Sequence, residues 1–455
     1  MSAHPSFREA FRFWLKLGFI SFGGPAGQIA IMQQELVERK KWIGQERFLH
    51  ALNFCMLLPG PEAQQLAIYC GWLLHRTWGG IVAGVLFVLP SAVLLWALSA
   101  AYVSYGHVAW VAAVFYGLKP AVLAVVVAAV FRIGKKALRN RVMGGIAAVA
   151  FALIFFGQVA FPLVVFGALA AGLAGGVWWP QWFVPAGGAG VGRDGPGGPS
   201  SGGGTRAEAV ARAVIDDAAE AGGVKPTWGR ALRVTAVCGV LWAAPLIGLG
   251  LWQGTDSVWV KEGVFFSKAA MVTFGGAYAV LPYVAQQAVD NHAWLTAPQM
   301  LDGLAFAETT PGPLIMVLQF VGFMGGWNQP GALSPAAGAA LGAAVTTWVT
   351  FVPCFLWIFL GAPHIERLRG QRLPGAALGA VTASVVGVIL NLAVWFGWHV
   401  LVPSATGAGM WMWGSVDGFA VVIAAGAFVA LHRFKVNVIA VIAVSAAAGV
   451  VWGNL

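Results

Sequence analysis

Apolar runs of about 20 residues, each long enough to cross a bilayer, alternate with short polar stretches along nearly all of this 455-residue chain. Thirteen segments follow from that pattern: 13–32, 50–74, 78–103, 108–131, 142–159, 161–178, 232–253, 263–285, 299–326, 338–362, 375–400, 411–431 and 436–454. They are too long for barrel strands and show no alternation with period two. The pattern predicts an all-α polytopic membrane protein. Between the sixth and seventh segments lies a Gly/Pro/Ser-rich linker, 187–204, followed by a short polar stretch, 206–221, that reads as a helix. Such a linker is too polar and glycine-rich to join a packed core.

The segments repeat. Residues 13–61 and 265–313 align without a gap at an offset of 252, with fourteen of forty-nine positions identical. Phe22-Gly23-Gly24 matches Phe274-Gly275-Gly276, Trp42 matches Trp294, and Pro59-Gly60-Pro61 matches Pro311-Gly312-Pro313. Duplicated apolar units broken by Gly and Pro at corresponding places are the sequence sign of a secondary transporter. The division expected is a first repeat over 1–182, the linker with its polar helix over 183–230, a connecting helix over 231–262 and a second repeat over 263–455.

Composition sharpens this picture. The chain is 59% hydrophobic and 10% charged, with a net charge of +10. The basic residues sit in short loops between apolar segments, so they report topology rather than nucleic-acid binding. Clusters at Arg132–Arg141, Arg367–Arg372 and Arg433–Lys435 all belong on the cytoplasmic face, and the alternation places the N-terminus and linker there too. Loops equivalent to the first two clusters carry no Lys or Arg in the other half. The bias swaps sides, as an inverted repeat requires, and the extra segment 232–253 supplies the flip. The loop Glu38–Trp42 fits the rule only if the FGG and PGP segments re-enter rather than span. Both layouts stay open at this point, and in each the helices are discontinuous at these motifs.

The breaks are the first chemical candidates. A Pro-Gly-Pro cannot sit inside an unbroken helix. Pro59, Pro61, Pro311 and Pro313 are therefore expected to leave N–H groups free at the start of the next half-helix, where the dipole favours an anion. Gly23, Gly24, Gly60, Gly275, Gly276 and Gly312 would let a ligand approach that backbone. The alternative reading is close helix packing or a kink. Of 27 Lys and Arg residues, only Lys119 stands mid-segment, too deep for easy snorkelling; it is either a substrate contact or half of a structural ion pair. Lys16 and Lys268 are duplicated but lie near segment starts, so headgroup contact explains them equally well. Glu62 and Glu308 are the acids clearly inside apolar segments. Either can tune charge or carry a coupled proton. Gln64, Gln65, Thr309 and Thr310 add neutral donors beside the same breaks, or cap half-helices.

Four cysteines, Cys55, Cys70, Cys238 and Cys354, lie apart in apolar stretches and read as buried hydrophobes, not metal ligands. No cofactor or metal is expected, nor a removable leader. No HExxH, Walker A or GxSxG pattern is present, so the chain does not read as an enzyme.

Five stretches together are similar to one family. Phe22–Gln28, Leu58–Leu66, Gly117–Val122, Thr273–Pro282 and Glu308–Leu314 resemble the chromate ion transporter family in its long, two-domain form. That resemblance implies export of chromate across a bacterial inner membrane, conferring chromate resistance, with sulfate as a related anion. The expected partners are the oxyanion and the lipid bilayer, with no nucleic acid; a homodimer is allowed. A passive channel and a non-transporting anion sensor are the alternatives.

Overall fold

The computed structural model describes residues 4–22, 24–183, 227–274, 276–363, 372–402 and 416–453. The linker, the polar stretch 206–221, Gly23, Gly275, Arg367 and Arg369 lie outside these. The described residues are helical, without a strand, and six of their helices are long and apolar enough to cross a membrane.

The first repeat begins with two short helices, α1 (Phe7–Ile20) and α2 (Gly24–Gln33), the latter continued by a wider π turn, Gln34–Arg39. Ser6 caps α1 by accepting from the Glu9 amide. Beyond α2 the chain comes back to where it started. Lys40 reaches Glu9 at 3.7 Å, and the Trp42 ring packs on Phe13 with centroids 5.4 Å apart. The FGG break is therefore the tip of a re-entrant hairpin. The second repeat builds the same object from α10 (Val258–Met271) and α11 (Ala277–Ala285) with its π turn Gln286–Asn291. There Trp294 packs on Phe265 at 5.6 Å. The correspondence reaches single residues: Lys41 and Ala293, 252 apart, both take positive φ (52° and 49°).

The PGP motifs form the tips of a second pair of hairpins. In the second repeat, α12 (Ala297–Thr309) runs in, and a short 3-10 turn, Leu314–Met316, leads α13 (Val317–Asn328) back out. Asn328 Nδ2 donates to the Trp294 carbonyl at 2.8 Å, tying the two ends together. In the first repeat, α3 (Gln45–Cys55) packs against α4 (Glu62–Tyr105). α4 itself folds back at His75 and Arg76, whose backbone leaves the helical region. Its two arms pack antiparallel, with Gln64 Nε2 3.5 Å from the Gly84 carbonyl. A Cβ on Gly71 would lie 2.4 Å from the Gly79 carbonyl oxygen, so small residues set the close approach, as membrane helix pairs require. α14 (Pro335–Gly361) is the counterpart of the outer arm of α4.

The remaining helices are α5 (Ala109–Ala137), α6 (Arg141–Phe155), α7 (Phe161–Trp178) with the short α8 (Pro180–Phe183), α9 (Trp228–Gln253), α15 (Arg372–Leu401), α16 (Gly418–His432) and α17 (Val438–Gly453), of which α6, α16 and α17 are apolar but shorter than the six long ones. Asn140 Nδ2 donates to the Trp182 carbonyl at 2.7 Å, which sets the start of α6 beside the end of α7. Tyr116, near the start of α5, donates to Asp417 at the start of α16. Counting passes with four re-entrant hairpins puts Arg39–Lys41, Arg76, Lys135–Arg141 and Arg433–Lys435 on one face. The hairpins of the first repeat enter from that face and those of the second from the other. Re-entry thus resolves the loop that a spanning layout left on the wrong side.

Candidate functional site

The tips of the two repeats meet, and they meet reciprocally. The Gly60 amide donates to the Thr273 carbonyl at 2.8 Å, and its equivalent Gly312 donates to the Ser21 carbonyl at 2.8 Å. Ser21 and Thr273 each return their hydroxyl to the carbonyl four residues earlier, at 2.6 and 2.7 Å. Gly60 and Gly312 hold φ near +110° (116° and 109°), a conformation other residues adopt only with strain. The sequence predicts free amides at the start of the half-helices that follow; the glycine amides themselves are already bonded. Each is spent on the opposite repeat, because the two tips are shape-complementary to each other.

The clasp is lined with polar groups. Gln28 is fully buried and its Nε2 donates to the Gly312 and Ser21 carbonyls, while its Oε1 has no hydrogen bond. Ser91 lies against Gly312, its Oγ buried and unpaired. Gln65 donates to the Pro59 carbonyl at 2.8 Å; Gln64 and Gln65 each keep a buried, unpaired Oε1. Pro61 and Pro313 stand directly before the returning arms, as the sequence predicts, and Pro59 and Pro311 flank the same tips. Thr309 gives its hydroxyl back to Ala305 and Phe306. Thr310 is buried in the break, with its amide bonded to Phe306.

The tips are symmetric in backbone but not in charge. A Cβ on Gly276 would stand 3.4 Å from Glu62 Oε1. The Glu62 carboxyl therefore sits over the N-terminus of α11, where the helix dipole favours negative charge. At the equivalent Gly24 (φ 65°), nothing lies within 4 Å of such a Cβ.

Lys119 faces Asp302 on α12, its Nζ 3.6 Å from Oδ1. Tyr102 donates to the other oxygen, Oδ2, at 2.9 Å. This pair lies about 10 Å along α12 from Thr309, at about 1.5 Å per residue, so Lys119 is beside the tips and not between them. Nearer the tip, Tyr278 donates to Glu308, and Arg132 of α5 lies close enough to both to act on them electrostatically. α5 thus presents two cations to two acids on α12, across the boundary between repeats.

Two of these residues, Asp302 and Arg132, escape sequence reasoning, as does the buried Glu262 of α10. Asp302 stands only three residues inside its apolar segment, and Glu262 one residue before its own, yet both are buried. Glu262 shows a usable signal: it falls at helical spacing with Trp259, Phe266 and Ala269 on the buried face of α10. Arg132 looks like a loop charge from its neighbours. Lys16 and Lys268 differ from expectation in the opposite sense. α1 begins at Phe7, so Lys16 is nine residues in, and both lysines are exposed within about one turn of a break.

Comparison with known proteins agrees in both halves. The family model described as chromate transporter matches residues 8–175 and 261–450. The chain is 32% identical to a chromate transport protein of Pseudomonas aeruginosa over 98% of its own length and 92% of the relative's. It is 29% identical to a chromate transport protein of Cupriavidus metallidurans (85% and 82% covered). It is 26% identical to a probable chromate transport protein of Synechococcus elongatus (87% and 86%). No solved structure matches.

Proposed function

Because this chain belongs to the chromate transporter family, we propose that it is a secondary carrier exporting chromate, and sulfate as a related tetrahedral dianion, across the bacterial inner membrane. The observation that supports this best is the reciprocal clasp. A hydrogen-bonded contact between two oppositely inserted hairpin pairs has an equivalent arrangement on each side, which is what alternating access needs. Separating the tips frees the Gly60 and Gly312 amides, and Gln28, Gln64, Gln65, Thr309 and Thr310 stand beside them as neutral donors. Gly23 and Gly275, candidates from the same two sequence motifs, lie outside the described residues.

The seam between α5 and α12 is the path. The face carrying the basic loops is cytoplasmic under the positive-inside rule, as are the N-terminus and the linker. A dianion from that face meets Arg132 first and Lys119 deeper, while Glu62 and Glu308 keep the empty pocket from holding a net positive charge. Lys16 and Lys268 are secondary contacts near the tips. With the cell interior negative, expelling a dianion is favourable by about 4.6 kcal/mol per 100 mV, twice the single-charge value.

Labelled chromate and everted membrane vesicles test this directly. Uptake is expected to saturate, to accelerate when chromate is preloaded, and to be competed by sulfate more strongly than by phosphate. Uptake without saturation or trans-acceleration indicates a channel, and binding without uptake indicates a sensor.

A further inference from the structure

The Lys119–Asp302 pair has three features that a purely structural ion pair does not need. First, its two members differ in access: the Lys119 side chain is 26% exposed and that of Asp302 5%. An anion can reach the ammonium from its open side while the carboxylate stays behind it. Second, the pair is incomplete. Oδ1 is buried without a hydrogen bond, and Nζ at 3.6 Å is beyond hydrogen-bonding distance. Oδ1 therefore keeps an unused acceptor site, since the Tyr102 hydroxyl already occupies Oδ2. Third, the carboxylate cannot swing away easily. The Tyr102 ring that holds it is wedged edge-on against Phe115, Phe306 and Phe320, with centroids 5.1, 6.0 and 5.6 Å apart.

Charge balance then dictates what loading does. The empty pair is neutral. A dianion on Lys119 leaves the cluster at minus two in a medium where like charges repel strongly, and the carboxylate is the group able to relieve it by protonation. The ionisable groups facing Asp302 are Lys119 from α5 and Tyr102 from α4. Because Asp302 rides on a hairpin of the second repeat and Lys119 on a helix of the first, loading also cuts an electrostatic tie between the repeats.

We propose that Asp302 is the coupling group of the carrier: the dianion replaces the carboxylate as the counter-charge of Lys119, and Asp302, held in place, takes a proton from the loading side and releases it with the anion. The species moved is one dianion with one proton, a net single negative charge, so the membrane potential drives it half as strongly as the bare dianion. This rests on the transport reading above, and the test separates the two.

Purified full-length protein is reconstituted in liposomes with the membrane potential clamped. Labelled chromate uptake and external pH are recorded together, at a pH alkaline enough for chromate to be the dianion. The wild type is expected to consume one proton per chromate, and Asp302→Glu to retain that ratio at a lower rate. Asp302→Asn is expected to show slower, potential-driven uptake with no proton consumed. Wild-type uptake without proton consumption, or proton consumption surviving in Asp302→Asn, overturns the coupling role and leaves the carrier intact. Absence of any wild-type uptake overturns the carrier reading itself. Should Asp302→Asn fail to fold, infrared difference spectra of wild-type protein with 13C-labelled aspartate decide the matter. Chromate addition is expected to raise a protonated-carboxyl band shifted by the label, and its absence refutes the proposal.

Discussion

Lys119→Gln is expected to reduce chromate uptake at least 100-fold, a loss of about 3 kcal/mol at about 1.4 kcal/mol per tenfold. The substitution removes the deepest positive charge on the α5–α12 seam, and glutamine can offer a hydrogen bond but no counter-charge to a dianion. It also strands Asp302, and removing one partner of a buried pair costs about 3–5 kcal/mol when the other stays charged. Loss of function alone therefore does not distinguish binding from stability. The double replacement Lys119→Gln with Asp302→Asn does. It is expected to restore wild-type thermal stability in detergent while uptake stays at background. If uptake recovers with stability, Lys119 serves the fold alone.

Gly312→Val is expected to break the clasp. A Cβ there would stand 2.3 Å from Ser91 Cβ and 2.4 Å from its Oγ, and φ of 109° is hostile to a β-branched residue. Overpacking and backbone strain together predict a loss of about 3 kcal/mol or more. The change also pushes the second-repeat tip off Ser21. Gly60 is less crowded, with Cys354 Sγ and Gln65 Nε2 each 3.0 Å from such a Cβ, and both are side-chain atoms able to shift. Gly60→Ala is therefore expected to fold and to lose less. Equal thermal shifts for Gly312→Val and Gly60→Ala, measured by unfolding fluorescence in detergent, would contradict the geometry.

What could be read from the chain, and what could not, has a physical basis. The duplication exposes the fold class because Gly and Pro at fixed offsets survive divergence of the apolar residues around them. Span and hairpin are indistinguishable by length, since two half-helices of about ten residues occupy the same run as one spanning helix. The Lys40–Glu9 contact decides between them. Asp302 and Glu262 escape a sequence reading because distance from a segment end measures depth only in a spanning helix. In a hairpin packed inside other helices, an end residue can be buried sideways. Arg132 carries the same lesson: it sits in a run of loop charges, yet it reaches Tyr278 at a tip. That the amides of Gly60 and Gly312 bond the opposite repeat is not legible in the sequence, which does not show that its two breaks are partners for each other.

The central claim is that the anion binds where oppositely inserted tips meet. Phe22 and Phe274 are equivalent, half-buried residues beside the two FGG breaks. Single cysteines at these positions, labelled with a small thiol reagent in reconstituted protein, test that claim most directly. Chromate is expected to protect both positions with one half-saturating concentration, matching that for transport. Labelling of either position that chromate leaves unchanged, while transport saturates normally, would place the substrate elsewhere and contradict the account.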